Sequence, residues 1–168
     1  SAFEDSVSFN TIRCWASIEN GGDQGDFRLA VTSTTTDGIS RADENAGNTE
    51  ADGFESVTIS AKGGLNFGKD ARLSADVYWA DAEADIDGFA PGFTDTDESS
   101  ETEEFSGNIS LTGSLFEGRL ENLVLIGYSE IDRENFDTGV SSFSADGERM
   151  IYRYQGTLNI NEQNTLAF

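Results

Sequence analysis

An alternation that changes character along its length is the feature that most constrains this chain. Every second residue from Leu73 to Trp79 is apolar, and the same parity continues as four acidic residues from Asp81 to Asp87. Alternate side chains of a β-strand point to the same face of a sheet. One face of this predicted strand therefore passes from aliphatic through aromatic to strongly acidic.

The same zoning recurs in three later segments, and its direction inverts each time. Residues 101–115 run from acidic to apolar, 120–132 from apolar to acidic, and 146–160 from acidic to apolar. A water-soluble sheet needs no such zoning, whereas a barrel wall in a bilayer needs an apolar band that ends in interfacial aromatic residues and then in water. The pattern predicts an all-β fold, an antiparallel up-and-down meander of about 7–8 long strands that forms a transmembrane β-barrel or a segment of one.

Seven strands and the start of an eighth follow from the alternation, at about residues 6–19, 26–36, 54–67, 71–86, 104–116, 119–132, 148–161 and 165 onward. Short connections rich in Gly, Asn and Asp alternate with long polar ones, as in outer-membrane barrels, where the short turns face the periplasm. The long loops are expected at Asp37–Gly53, Asp87–Glu103 and Arg133–Gly147. Residues 1–168 are interpreted as a single β-barrel region, a partial barrel wall without a plug domain.

An antiparallel β-sandwich is the main alternative, since its strands also alternate apolar and polar residues. Its inner face should be dominated by large aliphatic side chains. Here small residues interrupt the apolar faces, for example Ala75, Gly107 and Gly113, and the opposite face from Ser106 to Ser114 consists of Ser, Asn and Thr. Small polar side chains fit a wet lumen better than a hydrocarbon core, which favours the barrel.

The composition of the chain excludes several classes of function. The formal net charge of -22 excludes a nucleic-acid partner, because phosphates would be repelled. The absence of histidine excludes histidine-based catalysis and histidine-ligated metals, and Cys14 alone cannot form an internal disulfide. No apolar run exceeds four residues, so neither a transmembrane helix nor a signal peptide is expected, and the chain is interpreted as a mature chain or a piece of a longer one.

Carboxylates crowd two of the expected loops, and no Lys or Arg occurs between Ala80 and Gly118. Like charges packed this closely are unfavourable unless cations screen or bind them. Flexible loops with many hard oxygen ligands suit Ca²⁺, although no segment has the glycine and closing glutamate of an EF-hand. A solvated acidic rim is the alternative explanation.

Short pieces between Gly22 and Thr165 resemble the barrel wall of TonB-dependent outer-membrane receptors, in particular the cobalamin-receptor-like branch. The pieces are Gly25–Leu29, Thr36–Ser40, Ala42–Asn45, Asp52–Phe54, Asp87–Phe89, Gly127–Ser129 and Ser144–Glu148. The resemblance implies a 22-stranded barrel with a plugged lumen, of which this chain holds about a third of the strands. It also implies calcium bound by loop carboxylates at the matching positions, namely Glu50, Asp52, Asp87, Asp95 or Asp97, and more loosely Asp37.

We therefore expect part of a receptor or transporter in the bacterial outer membrane for a scarce nutrient such as a corrinoid or a metal chelate, and no enzymatic activity. The expected partners are outer-membrane lipid, a small nutrient ligand, and TonB only through a plug that these residues lack. Two alternatives remain open. The first is a β-rich structural or self-assembling protein that associates through open sheet edges, and the second is a soluble calcium-stabilised β domain.

Overall fold

The computed structural model describes residues 2–6, 10–38, 52–88 and 94–168. Glu50 lies outside these ranges, as does most of the loop expected at Asp37–Gly53. No helix in the described part of the chain is long and apolar enough to span a membrane. The described residues form nine strands: β1 (Ala2–Ser6), β2 (Thr11–Gly22), β3 (Gly25–Thr36), β4 (Phe54–Phe67), β5 (Ala71–Gly88), β6 (Thr94–Leu115), β7 (Leu120–Asp137), β8 (Val140–Asn161) and β9 (Asn164–Ala167).

All nine strands belong to one antiparallel sheet in which each strand pairs with its neighbour in sequence. This confirms the predicted all-β, up-and-down meander. Within the described ranges the sheet is open, because β1 pairs only with β2 and β9 only with β8. The described residues form neither a second sheet, which a sandwich would need, nor a small closed barrel.

The prediction of a long loop is wrong at two of the three positions, because the strands continue through these segments. β5 runs to Gly88 and β6 begins at Thr94, so most of the segment expected as a loop at Asp87–Glu103 is paired strand. Likewise, β7 and β8 extend through the segment expected at Arg133–Gly147 and meet at a two-residue turn. These extensions are polar and acidic, so they lack the apolar alternation that marked the rest of each strand, yet their backbone ladder continues without it.

In the described part of the chain, no second layer of protein packs against either face of the sheet. Contacts between strands join only sequence neighbours, and among the described residues no side chain is fully buried. The buried positions there are three glycines, Gly64, Gly127 and Gly156, and one polar residue, Ser100. A soluble domain of this size would normally bury large aliphatic side chains between two layers. The apolar residues of this sheet have no protein partner in the described structure.

The two faces of the sheet differ in exposure. We call the face that carries Trp79 face A and the face that carries Tyr78 face B. On β6, Ile109 and Leu111 of face A are 59% and 46% exposed, whereas the alternate residues from Ser100 to Ser110 on face B are buried or half-buried. This difference in exposure indicates that the sheet curves, with face B on the concave side.

The turn between β7 and β8 has a strained first residue. Thr138 and Gly139 have φ angles of +50° and +77°, and Asp137 pairs with Val140 on either side of them. Two central residues with positive φ are typical of a type I′ hairpin, whose twist matches that of the strands. Glycine adopts this conformation freely, but threonine, which is β-branched, does so at a cost.

We expect Thr138→Asn to stabilise the hairpin by about 0.5–1 kcal/mol, because asparagine tolerates the left-handed region that threonine avoids. Gly139→Val should destabilise it by about 1–2 kcal/mol for the same reason. Thermal unfolding followed by circular dichroism measures both shifts. The unfolding temperature should rise in Thr138→Asn and fall in Gly139→Val. A higher unfolding temperature in Gly139→Val would contradict the turn assignment.

Candidate functional site

The strand register aligns the apolar zones of face A into one continuous surface. Leu73 pairs with Leu111, Leu111 with Val124, and Val124 with Tyr154, so a row of large apolar side chains crosses four strands. Parallel rows lie above and below it. We call this surface the apolar band; its members on β3 to β8 are Phe27, Leu29, Val31, Ile59, Ala61, Leu65, Phe67, Leu73, Ala75, Val77, Trp79, Phe105, Ile109, Leu111, Leu115, Leu120, Val124, Ile126, Tyr128, Met150, Tyr152, Tyr154 and Leu158.

Aromatic side chains end the band on the side of the acidic residues. Trp79 pairs with Phe105 across β5 and β6, and the rings of Phe105 and Tyr128 lie 6.1 Å apart at a tilt of 48°. The polar atoms of this row point to carboxylates: Trp79 Nε1 donates to Glu103 Oε1 at 2.8 Å, and Tyr128 Oη donates to Glu130 Oε2 at 2.8 Å. Side chains with an apolar body and a polar tip are suited to a boundary between an apolar phase and water.

Beyond the aromatic row, face A carries two rows of carboxylates, which we call the acidic ladder. One row crosses β5 to β8 and the other crosses β4 to β7. Within each row, like charges stand directly opposite each other. Its members are Asp81, Glu103, Asp132 and Asp146 in the first row and Glu55, Glu83, Glu101 and Glu134 in the second. Directly opposed like charges destabilise an antiparallel pair. The acidic ladder is therefore a feature that sheet stability alone does not favour.

Positive charges are segregated to the opposite face. The seven Lys and Arg residues in the described strands all lie on face B: Arg13, Arg28, Lys62, Arg72, Arg133, Arg149 and Arg153. In the described strands, face A thus carries carboxylates without a single compensating cation. Such a face needs either full hydration or mobile cations to offset its mutual repulsion.

Face B is held by local polar contacts instead of apolar packing. Arg72 forms an ion pair with Asp26 at 2.6 Å and also donates to Asn66 Oδ1 at 2.7 Å. Farther along the sheet, Asn108 Nδ2 donates to Asp76 Oδ2 at 2.9 Å. Asn108 and Asp76 lie on paired strands, whereas Arg72 on β5 reaches across Gly64 of β4 to Asp26 on β3. These contacts give face B the hydrogen-bonded polar character of a wetted surface.

A second polar cluster on face B surrounds the buried hydroxyl of the described chain. Ser100 Oγ donates to Asn135 Oδ1 at 2.9 Å and accepts a hydrogen bond from Arg133 Nε at 3.2 Å. Ser100 is only 6% exposed, so these contacts satisfy a hydroxyl that would otherwise be costly to bury. The cluster fixes the upper ends of β6 and β7 against each other.

The residues predicted to bind calcium that lie in the described ranges adjoin β3 and β4 or belong to β5 and β6. Asp37 and Asp52 flank the undescribed β3–β4 connection, and Asp37 Oδ2 accepts a hydrogen bond from Asn10 Nδ2 at 2.8 Å. Asp97 lies on β6, where its carbonyl oxygen accepts from Thr138 N at 2.7 Å. Asp87 and Asp95 lie on β5 and β6, so the prediction that they sit in a loop is wrong; their side chains, like all of Glu50, lie outside the described part.

A cleft near Asp37 contains carboxylates that the sequence did not indicate as a group. Its lining includes Asp37, Glu55, Glu83 and Asp85 around a volume of about 500 Å³. Asp85 Oδ2 accepts from Gly53 N at 3.0 Å, which ties β5 to the start of β4. The pairing of β4 with β5 brings these residues together. Spacing along the sequence does not predict which residues of two such distant segments pair.

In the described residues, no group of three or more Asp, Glu or Cys side chains is arranged to hold a metal ion. The acidic ladder spaces its carboxylates by the distance between strands instead of converging them on a point. Calcium binding thus stays a prediction that depends on residues outside the described ranges. The arrangement that is present is a charged surface adjoining an apolar one.

No protein-family model matches the chain, and the comparisons with curated proteins and with solved structures give no match either. The resemblance to TonB-dependent receptors accordingly stays a sequence-based expectation.

We expect Asp132→Asn to stabilise the sheet at low ionic strength by about 0.2–1 kcal/mol, because Asp132 stands between Glu103 and Asp146 on neighbouring strands. The gain should shrink in about 0.5 M NaCl, where salt screens exposed charges. Thermal unfolding in a non-ionic detergent at both salt concentrations measures it. Asp76→Asn is the control on face B: it removes the same charge but weakens a hydrogen bond with Asn108, so an equal gain there would contradict the explanation.

Proposed function

We propose that this chain forms part of the wall of a β-barrel in the bacterial outer membrane, with face A against lipid and face B toward the barrel interior. The observation that carries the proposal is the single-layered sheet whose apolar band has no protein partner in the described structure. Hydrocarbon is the environment in which such a surface is favourable without a second layer.

The dimensions of the apolar band support this environment. On β6 the band extends over ten residue steps, from Phe105 to Leu115. At a rise of ~3.4 Å per residue this is about 34 Å along the strand. With the strand tilt of ~40° usual in outer-membrane barrels, the height would be about 26 Å, close to the ~25 Å apolar band of such proteins.

The ends of the strands support an orientation. The end of the sheet below the apolar band carries tight turns at Asp23–Gln24, Gly68–Asp70 and Phe116–Arg119, as periplasmic ends do. The acidic ladder lies at the other end, beyond the aromatic row, where strands of a large barrel would extend past the membrane into water. We assign that end to the cell exterior.

Within this class, we propose a TonB-dependent receptor for a scarce nutrient such as a corrinoid or a metal chelate. The support is the motif resemblance together with a polar inner face and an acidic outer rim. TonB would act through a plug supplied from outside these residues. Calcium would stiffen the outer rim by bridging carboxylates of the β3–β4 connection with those at the ends of β5 and β6.

A β-rich self-assembling surface protein is the second candidate, because one edge of the sheet is open. β9 pairs with β8 only from Thr157 onward, and in the described residues no strand covers the outer side of Val140–Gln155. A long unpaired edge is a template for strand addition. Assembly that depends on concentration and proceeds without detergent or lipid would favour this candidate over the membrane wall.

The membrane proposal predicts a dependence on depth. Leu111→Arg, near the middle of the band, should destabilise the folded protein in lipid by about 2–4 kcal/mol. Leu115→Arg, at the turn end of the same strand and face, should cost only about 0–1 kcal/mol. Reversible urea unfolding in liposomes, followed by tryptophan fluorescence, gives both values.

Ser110→Arg is the matched control, since Ser110 neighbours Leu111 but lies on face B. It should have little effect in lipid. If Ser110→Arg and Leu111→Arg cost the same, face A does not face hydrocarbon and the proposal fails. If Leu111→Arg has the same effect with and without lipid, the apolar band is covered by protein.

The calcium proposal predicts that millimolar Ca²⁺ protects the outer rim from proteolysis, and that Mg²⁺ substitutes poorly because it requires tight octahedral geometry and retains its waters. Asp52→Asn and Asp87→Asn should each weaken the protection. Glu130→Gln, which removes a carboxylate bonded to Tyr128 outside the proposed site, should not. Calorimetric titration at low salt measures binding, and identical heats for the wild type and the double Asn variant would leave a solvated acidic rim as the explanation.

A further inference from the structure

Face B contains a cleft that the strands build around Tyr78. Four of its residues form one register row across β5 to β8, and the neighbouring row supplies three more. The first row is Tyr78, Ser106, Ser129 and Arg149, and the second includes Glu104, Ile131 and Gly147. The cleft has a volume of about 440 Å³, within the range of small-molecule sites.

Tyr78 is the aromatic residue of face B that lines the cleft. It lies on the polar face, between Ser60 on β4 and Ser106 on β6, and its side chain is 38% exposed. Its two direct neighbours on this face are therefore small hydroxyl residues. The aromatic residues of the apolar band, in contrast, lie on face A. An exposed ring flanked by hydroxyl groups offers a flat apolar surface beside hydrogen-bonding partners.

The polar side chains of the cleft have no side-chain partners among the described residues. No side-chain hydrogen bond or ion pair joins Tyr78, Glu104, Ser106, Ser129 or Arg149 to another described residue. Elsewhere on face B, comparable side chains are engaged, as in the ion pair of Arg72 with Asp26 and the hydrogen bond of Asn108 to Asp76. The cleft therefore presents donors and acceptors that no other described side chain engages.

Gly147 shapes the far side of the cleft. It lies opposite Ile131, and a Cβ atom added there would stand 3.4 Å from Ile131 Cγ2. The missing side chain leaves room on the β8 side of Ile131, which a larger residue at position 147 would occupy.

We propose that this cleft binds a neutral pyranose ring, either as a free sugar or as part of a larger ligand. A pyranose has an apolar ring face for Tyr78 and a rim of hydroxyl groups that both donate and accept. Ser106 and Ser129 do both as well, Arg149 donates, and Glu104 accepts. The net charge of -22 disfavours an anionic ligand.

This inference goes beyond the proposed function, because a pyranose is neither a corrinoid nor a metal chelate, and it rests on that function only for the placement of face B toward the barrel interior. A pyranose bound there would lie on the route of a nutrient through the lumen. The cleft is set across β5 to β8 at the level of the aromatic row, because Tyr78 and Trp79 are consecutive residues. A ligand would therefore meet it near the outer entrance of the lumen.

The test is a titration of the full chain in lauryldimethylamine oxide micelles, which carry no sugar headgroup, with methyl β-D-glucopyranoside and methyl β-D-galactopyranoside as probes. Saturation-transfer NMR and calorimetry report binding. We expect saturable binding of at least one probe, with about a tenfold loss of affinity in Arg149→Gln and about a fivefold loss in Ser129→Ala, the effects of losing a charged and a neutral hydrogen bond. Tyr78→Leu should abolish saturation transfer to the ring protons.

Arg153→Gln and Ser110→Ala are the matched controls: both positions lie on face B outside the cleft, and each removes the same group. Both controls should bind like the wild type, and circular dichroism should give the same fold for all variants. Equal losses in Arg149→Gln and Arg153→Gln, tighter binding of glucose 6-phosphate than of the neutral probes, or no saturable binding would each overturn the proposal. Membrane insertion is measured separately by the Leu111→Arg series, so failure of the sugar site is distinguishable from failure of the barrel assignment.

Discussion

The structure depends on one constraint: a single-layered sheet must place its apolar face against something other than its own chain. Each apolar side chain kept from water contributes roughly 25 cal/mol per Å² of buried area, and in a soluble domain that burial comes from a second layer. In this chain Leu111, Val124 and Tyr154 pair side by side and all three stay exposed. The order of the band, the aromatic row and the acidic ladder is readily explained if a bilayer supplies the missing apolar environment.

The segregation of charge follows from the same constraint. In the described strands every Lys and Arg lies on face B, so every charged side chain of face A there is a carboxylate. Moving a carboxylate into hydrocarbon is unfavourable by several kcal/mol. The acidic ladder therefore sets a limit on how deeply the sheet can enter an apolar phase. Trp79 and Tyr128, hydrogen-bonded to Glu103 and Glu130, mark that limit with groups that tolerate both sides.

The sequence was sufficient to predict which face of the sheet each side chain lies on, but not how far the strands extend beyond the acidic ladder. From Leu73 to Trp79 the alternation of apolar side chains predicts the face of every residue, and the register confirms it. Between Arg133 and Gly147 the chain is polar, and a loop was expected where β7 and β8 continue. Backbone pairing there needs no apolar face, and the Thr138–Gly139 turn was the local signal that could have indicated it. The Tyr78 cleft depends on residues from four strands, so only the register reveals it.

The open edge of β8 connects the fold to the choice between a membrane wall and a self-assembling sheet. If a second copy paired with β8 about a two-fold axis normal to the sheet, its strands would run in the opposite sense, so its acidic ladder would lie on the other side of the apolar band. Pairing centred near Glu148 would set that residue against its own copy and Asp146 against Met150, which opposes charge to charge and charge to apolar surface. Pairing centred near Tyr152 would align the bands, but it would direct the two acidic ladders to opposite sides of a bilayer, which no common direction of insertion allows. In a membrane, an antiparallel partner of this edge must therefore pass through the zones in the opposite sequence order to β8, so that equal zones lie side by side. β7 does this on the other side of β8. Two-fold pairing of identical chains along this edge is compatible only with an environment that has no bilayer.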